Sequence, residues 1–183
     1  MLNHWCHGAP GAIGPLLAAT QLYLQLSMTQ DCEINQVMAQ RLYRAAMKAA
    51  EMTWQQGLVL KGNCLCHGIS GNGLLLHTVA RWHKAQESHQ QEFEQKLGQE
   101  AGTFAKAINL YQIRALMFAR AMSLESVQRP CEEHQDRGRL KVGEADHPWS
   151  LMEGLPGEIC MLAELTHPDD LAFARFPAYD VLF

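Results

Sequence analysis

CLCHGISG, residues Cys64–Gly71, restates the phrase HWCHGAPG found at His4–Gly11. Each copy sets Cys-His-Gly-x-x-Gly immediately before an apolar run. A phrase that returns with the same neighbour marks an internal repeat. After the first copy, AIGPLLAATQLYLQL (Ala12–Leu26) is apolar on most sides, the pattern of a helix packed inside other helices. Pro15 is expected in its first turn, where a missing N–H does least harm. A one-sided helix should follow, from an N-cap at Asp31 to about Gln56. There Ile34, Met38, Leu42, Ala45, Ala49 and Met52 recur at steps of three and four, while Arg41, Arg44 and Lys48 turn to water. Gly57 suits its C-terminal cap.

The second copy leads into NGLLLHTVARWHKA (Asn72–Ala85), another inner helix. QESHQQEFEQK (Gln86–Lys96) reads as a polar connector and an insertion. An outer helix then places Phe104, Ile108, Tyr111, Ala115, Phe118 and Met122 on one stripe. The charged stretch Arg129–Pro148 lacks periodicity and reads as a long inserted loop. SLMEGLPGEICMLAEL (Ser150–Leu165) is a third opening, with Glu-Gly-x-x-Gly in place of His-Gly-x-x-Gly. Hairpin repeats thus start near residues 8, 68 and 154 of one domain, 1–183. Inner helices that alternate with one-sided outer ones imply an all-α ring, an α/α toroid or helical-hairpin barrel, with the three glycine motifs at one end.

The chain of 183 residues carries a net charge near −4, which offers nothing to nucleic acid or an anionic surface. No apolar stretch reaches the roughly 18 residues of a membrane span, although peripheral contact with a membrane stays open. The opening residues Met1–His4 do not read as a secretory leader, and there are six cysteines (Cys6, Cys32, Cys64, Cys66, Cys131, Cys160). They read as reduced thiols of a cytoplasmic protein, suited to metal ligation. At the glycine end Cys6, His7, Cys64, Cys66 and His67 are all candidate zinc ligands, and spacing does not choose among them. The plain alternative is that small Cys and Gly residues pack at helix starts while His bonds to backbone.

HWCHGAPG, CHGISGN and PWSLMEGLPG, in that order and each before an apolar helix, resemble the successive motifs of the lanthionine synthetase C-like (LanC-like) family, eukaryotic type. The resemblance implies a Zn²⁺ ion held by Cys6, Cys66 and His67, with a fourth position for water or a substrate thiol. His7 becomes a wall residue of the site with a possible catalytic part, and Cys64 a packing residue. Lys61 stands where a glutathione-contacting lysine is expected. The implied chemistry is thioether formation: addition of glutathione or a peptide cysteine to dehydroamino acids, as in lanthionine synthesis. The alternative is a non-catalytic LanC-like protein that binds glutathione or a partner, with a structural or vestigial zinc site. A hairpin-ring glycosidase is disfavoured, because no paired carboxylates stand out; Glu153 reads as a helix-start residue making local hydrogen bonds.

The resemblance covers the C-terminal half of a seven-hairpin ring. The family's acid/base histidine belongs to the other half, and the arginine that precedes the third motif has no counterpart at Gly143, with Arg139 and Lys141 nearby. The expectation is therefore a fragment, active only with its missing N-terminal half and poorly soluble as a monomer; the alternative is a genuine half-ring protein.

Overall fold

The computed structural model describes residues 3–29, 33–59, 61–127 and 147–167. Asp31, Cys32, Cys131, Arg139, Lys141 and Gly143 lie outside them. The described residues form α1 (Ala9–Thr29), α2 (Glu33–Gln56), α3 (Ile69–Ala85), a 3₁₀ turn (Glu87–His89), α4 (Gln90–Lys96), α5 (Thr103–Val127) and α6 (Leu155–Thr166). Among them there is no strand, only an isolated bridge between His4 and His7. The all-α expectation holds. Helix α1 pairs with α2 and α3 with α5; the hairpins join through α1 and α3, and α6 follows against α3. This is an arc of an α/α toroid, with α1, α3 and α6 inside and α2 and α5 backing the first two.

Helix α3 is the axis of the arc. From Ile69 to His83 every residue but Arg81 is buried. Burying a helix on all sides requires neighbours that come close, and glycine allows it: a Cβ on Gly73 would strike Met161 of α6 and Phe118 of α5. Helix α1 is buried along one face only, through Ile13, Leu17, Thr20 and Leu24, and Leu22 is exposed.

Each inner helix begins right after a motif glycine, and the second glycine of each pair explains itself sterically. A Cβ on Gly11 would collide with the carbonyl of Trp5, one on Gly71 with that of Leu65, and one on Gly157 with that of Leu151. Those carbonyls all lie six residues upstream, so each loop folds back over the first turn of its own helix.

The structure corrects four details. Helix α1 begins at Ala9, so Pro15 sits inside it rather than in its first turn. The buried face of α2 runs through Ala39, Tyr43, Ala46, Ala49, Ala50 and Thr53, so Ala49 faces inward as its spacing requires while Ile34 is exposed. That is one residue further round than the Ile34–Met38–Leu42 stripe, because small alanines let α2 approach its neighbours closely. Gly57 is not a left-handed cap: its φ is not positive, and a Cβ there would meet the Thr53 carbonyl and the Phe118 ring. Finally, Gln86–Lys96 is folded, not a solvated connector. Phe93 is buried in the core, and the buried Glu94 accepts hydrogen bonds from the amides of Gly102 (3.1 Å) and Phe104 (2.7 Å) at the start of α5. Burial works to raise the Glu94 pKa, but those amide bonds and one from Gln90 outweigh it, and the carboxyl titrates below its ordinary range.

Polar side chains fix helix register inside the arc. His83 donates from Nδ1 to the Val79 carbonyl at 2.8 Å, so its Nε2 is free of hydrogen and accepts from the Tyr43 hydroxyl at 2.9 Å. Tyr43, Trp82, His83 and Phe104 pack around that bond, with His83 and Phe104 centroids 4.7 Å apart. Between α3 and α6, Arg81 pairs with the buried Glu164, and His77 Nε2 lies 3.7 Å from the same carboxylate.

Candidate metal centre

The loops that lead into α1, α3 and α6 are equivalent in sequence: Trp5-Cys6-His7-Gly8, Leu65-Cys66-His67-Gly68 and Leu151-Met152-Glu153-Gly154. They are also joined by equivalent backbone bonds. The Cys6 amide donates to the Cys66 carbonyl at 3.2 Å, and the Cys66 amide donates to the Met152 carbonyl at 2.7 Å. The residue two before each glycine therefore forms a rung of a ladder that runs from repeat to repeat. Two rungs carry cysteine and the third carries methionine.

On this ladder the donor atoms of Cys6, Cys66 and His67 lie within 4.8 Å of one another. Cys6 is exposed, while Cys66 and His67 are half-buried at the mouth of the arc. Zinc with thiolate and imidazole ligands at about 2.3 and 2.0 Å sets tetrahedral donors about 3.5–3.8 Å apart. Side-chain adjustments of under about 1 Å would bring the trio to that spacing, so the residues fit the ion. The electrostatics fit as well. Burial, then the adjoining Cys6 thiol, then Cys64 and Glu153 push the Cys66 thiol up to about 12. A neighbouring sulfur and a carboxylate disfavour the Cys66 thiolate, and a divalent cation would reverse that preference.

The other residues singled out from the sequence take separate places. His7 is exposed and outside the donor trio; its backbone pairs with that of His4 through bonds of 3.0 and 3.1 Å. Cys64 is buried, and the backbone amides of His67 and Cys66 are directed at its sulfur. Burial nevertheless keeps its pKa raised. Lys61 is exposed on the rim. Glu153 makes local contacts, its amide donating to Ser150 Oγ at 3.3 Å and its carboxylate lying 3.7 Å from His147, and its charge also reaches Cys66 and Cys64.

Two bracing residues carried no role in the sequence reading. Asn72 is fully buried and donates through Nδ2 to the carbonyls of both Asn3 and Gly57, each at 2.9 Å, tying the first loop to the end of α2. His4 is buried and its Nδ1 lies 2.9 Å from the His67 carbonyl. Burial lowers the His4 pKa, and the nearby charges of His67, Lys61 and His7 act in the same direction. The only sequence signal for either was adjacency to a motif: Asn72 follows Gly71, and His4 precedes Trp5-Cys6.

Comparison with known proteins shows the family. Residues 1–181 match the family model described as lanthionine synthetase C-like protein. The chain is 30% identical to the Danio rerio protein named glutathione S-transferase LANCL1, over 99% of this chain and 32% of that protein. It is 25% identical to LanC-like protein GCL1 of Arabidopsis thaliana, over 98% of this chain and 30% of that protein. It thus spans about a third of the length of these curated relatives. No solved structure matches significantly. With its three glycine motifs on one backbone ladder and a family match over nearly its whole length, the chain belongs to the lanthionine synthetase C-like family.

Proposed function

We propose that Cys6, Cys66 and His67 hold a zinc ion, and that the chain, joined to the remainder of its ring, adds a thiol to dehydroamino acids. The observation that carries this reading is the convergence of two sulfurs and one imidazole from loops sixty residues apart in sequence. When bound, zinc supplies positive charge that keeps a sulfur ligand ionised at neutral pH and leaves a coordination position for an incoming thiol. The chain's own residues position the reactants. The ladder fixes the separation of the two cysteines, and the N-terminus of α3 adds a favourable dipole beside Cys66. Lys61, on the rim, offers a cation to the carboxylates of a thiol such as glutathione, and exposed His7 forms part of the wall. The relative from Danio rerio, named a glutathione S-transferase, supports a small thiol as donor; peptide or protein thiols and alkenes are the other substrates proposed.

The reaction is an addition: the S–H bond breaks, sulfur bonds the β-carbon of dehydroalanine or dehydrobutyrine, and the α-carbon takes up a proton. We assign that proton, as the family resemblance implies, to a histidine in the remainder of the ring, with His7 the candidate within this chain. No described helix is long and apolar enough to cross a membrane, and exposed Cys6 suits a reducing compartment, which we take to be the cytoplasm.

Metal analysis of the purified chain should return about one zinc per chain, and Cys66→Ala should abolish it. Cys64→Ser should leave the zinc content unchanged. Glutathione and a dehydroalanine peptide, supplied to the joined protein, should yield the thioether mass. Glutathione binding without that product would favour the alternative, a non-catalytic thiol-binding protein.

A further inference from the structure

Among the described residues, two contacts hold loop one, which carries Cys6, against loop two, which carries Cys66 and His67. The first is the backbone bond from the Cys6 amide to the Cys66 carbonyl, which no side-chain change removes. The second is the 2.9 Å contact between His4 Nδ1 and the His67 carbonyl. A carbonyl oxygen only accepts, so Nδ1 carries the hydrogen and His4 is the donor. The ring is 5% exposed and meets the His67 ring edge-on, with centroids 6.3 Å apart. A paired backbone contact with His7, made through both amides, holds His4 in place from its own loop. Cys6 stands between these two histidines in sequence, so whatever fixes His4 fixes the approach of the Cys6 sulfur.

We propose that His4 is a positioning residue: by donating from Nδ1 to the His67 carbonyl it latches loop one onto loop two and sets Cys6 within reach of a metal held by Cys66 and His67. The inference rests on the zinc reading above and adds to it a residue that touches no metal. Without the latch, Cys66 and His67 keep their mutual geometry, because both lie on loop two, while Cys6 keeps only the backbone bond of its own amide to loop two and its sulfur is less well placed. Residues that orient metal ligands through hydrogen bonds typically contribute 10–100-fold in affinity.

The test uses the full chain, with zinc affinity measured by chelator competition and with cobalt(II) as a spectroscopic substitute. Four proteins are compared: wild type, His4→Phe, which keeps a ring and removes the donor, His4→Asn, whose amide reaches the position of Nδ1, and Cys6→Ala. His4→Phe should bind zinc 10–100-fold more weakly. Its cobalt thiolate charge-transfer band should shrink from the wild-type level towards that of Cys6→Ala, while its helical circular dichroism is retained. His4→Asn should recover most of both. Should His4→Phe fail to fold, His4→Gln takes its place, since a longer amide carries its donor past Nδ1 and should behave as the unlatched form. If wild type binds zinc and the unlatched variant binds it equally, with an unchanged cobalt band, the latch is wrong and the zinc reading stands. If wild type takes up neither metal, the latch and the zinc reading fail together.

Discussion

His77 and His83 show how a single position can set a property of the whole protein. Both are buried in α3, and both titrate near pH 4 rather than 6.5. Burial is the main cause for each, with the Arg81 charge a further one for His77, while the Val79 bond and Glu94 oppose it at His83. Between pH 6.5 and about 4 the unfolded chain binds protons at these rings that the folded chain does not. Stability therefore rises with pH across that window. The contribution is complete above pH 6.5 and is lost as the pH falls towards 4, up to about 3 kcal/mol per ring. Denaturant unfolding at pH 7.5, 6 and 5 should show the decline. His83→Gln should flatten it in part.

At the level of elements, the ladder depends on backbone lying where a side chain would be. Glycine inside a helix ordinarily costs about 0.5–1 kcal/mol relative to alanine, so Gly71→Ala would stabilise a plain helix. Here the new Cβ would strike the Leu65 carbonyl, and the expected effect changes sign. A loss of about 1–3 kcal/mol by denaturant unfolding is predicted, with weaker zinc retention, because Leu65 immediately precedes Cys66. The segment between α3 and α5 makes a similar point. Glu94 accepts from two amides at the start of α5, and Glu94→Ala should cost about 2–3 kcal/mol. Glu94→Gln, which keeps one acceptor oxygen, should cost less. Polar composition made Gln86–Lys96 look like a solvated linker. Gln86, Phe93 and Glu94 show that three buried residues suffice to make such a segment part of the fold.

For the whole molecule, a metal at the mouth would join two hairpins that share only a modest helix contact along α1 and α3. Anything that binds the folded state alone raises its stability by mass action. Removing zinc with a chelator should therefore lower the midpoint of thermal unfolding, and adding it back should restore the midpoint. Cys66→Ala should melt at the chelated value whether or not zinc is present. Equal melting of wild type with and without chelator would show that the donors hold no ion that bridges the loops.

The sequence alone determined the repeat, and with it the helices and the end of the arc where chemistry gathers. Periodicity and glycine pairs are local: Phe104, Tyr111, Ala115, Phe118 and Met122 face inward as their spacing requires, and each motif glycine sits at a helix start. Spacing left five ligand candidates, and resemblance narrowed them to three. Only the tertiary structure brought Cys6, Cys66 and His67 within 4.8 Å while leaving His7 and Cys64 outside that group. That outcome depends on backbone bonds between loops far apart in sequence, which no local pattern records. The same holds for the rotated face of α2, for Asn72 and for His4. Their partners are carbonyl oxygens or small side chains on other repeats, and a carbonyl oxygen has no letter in the sequence.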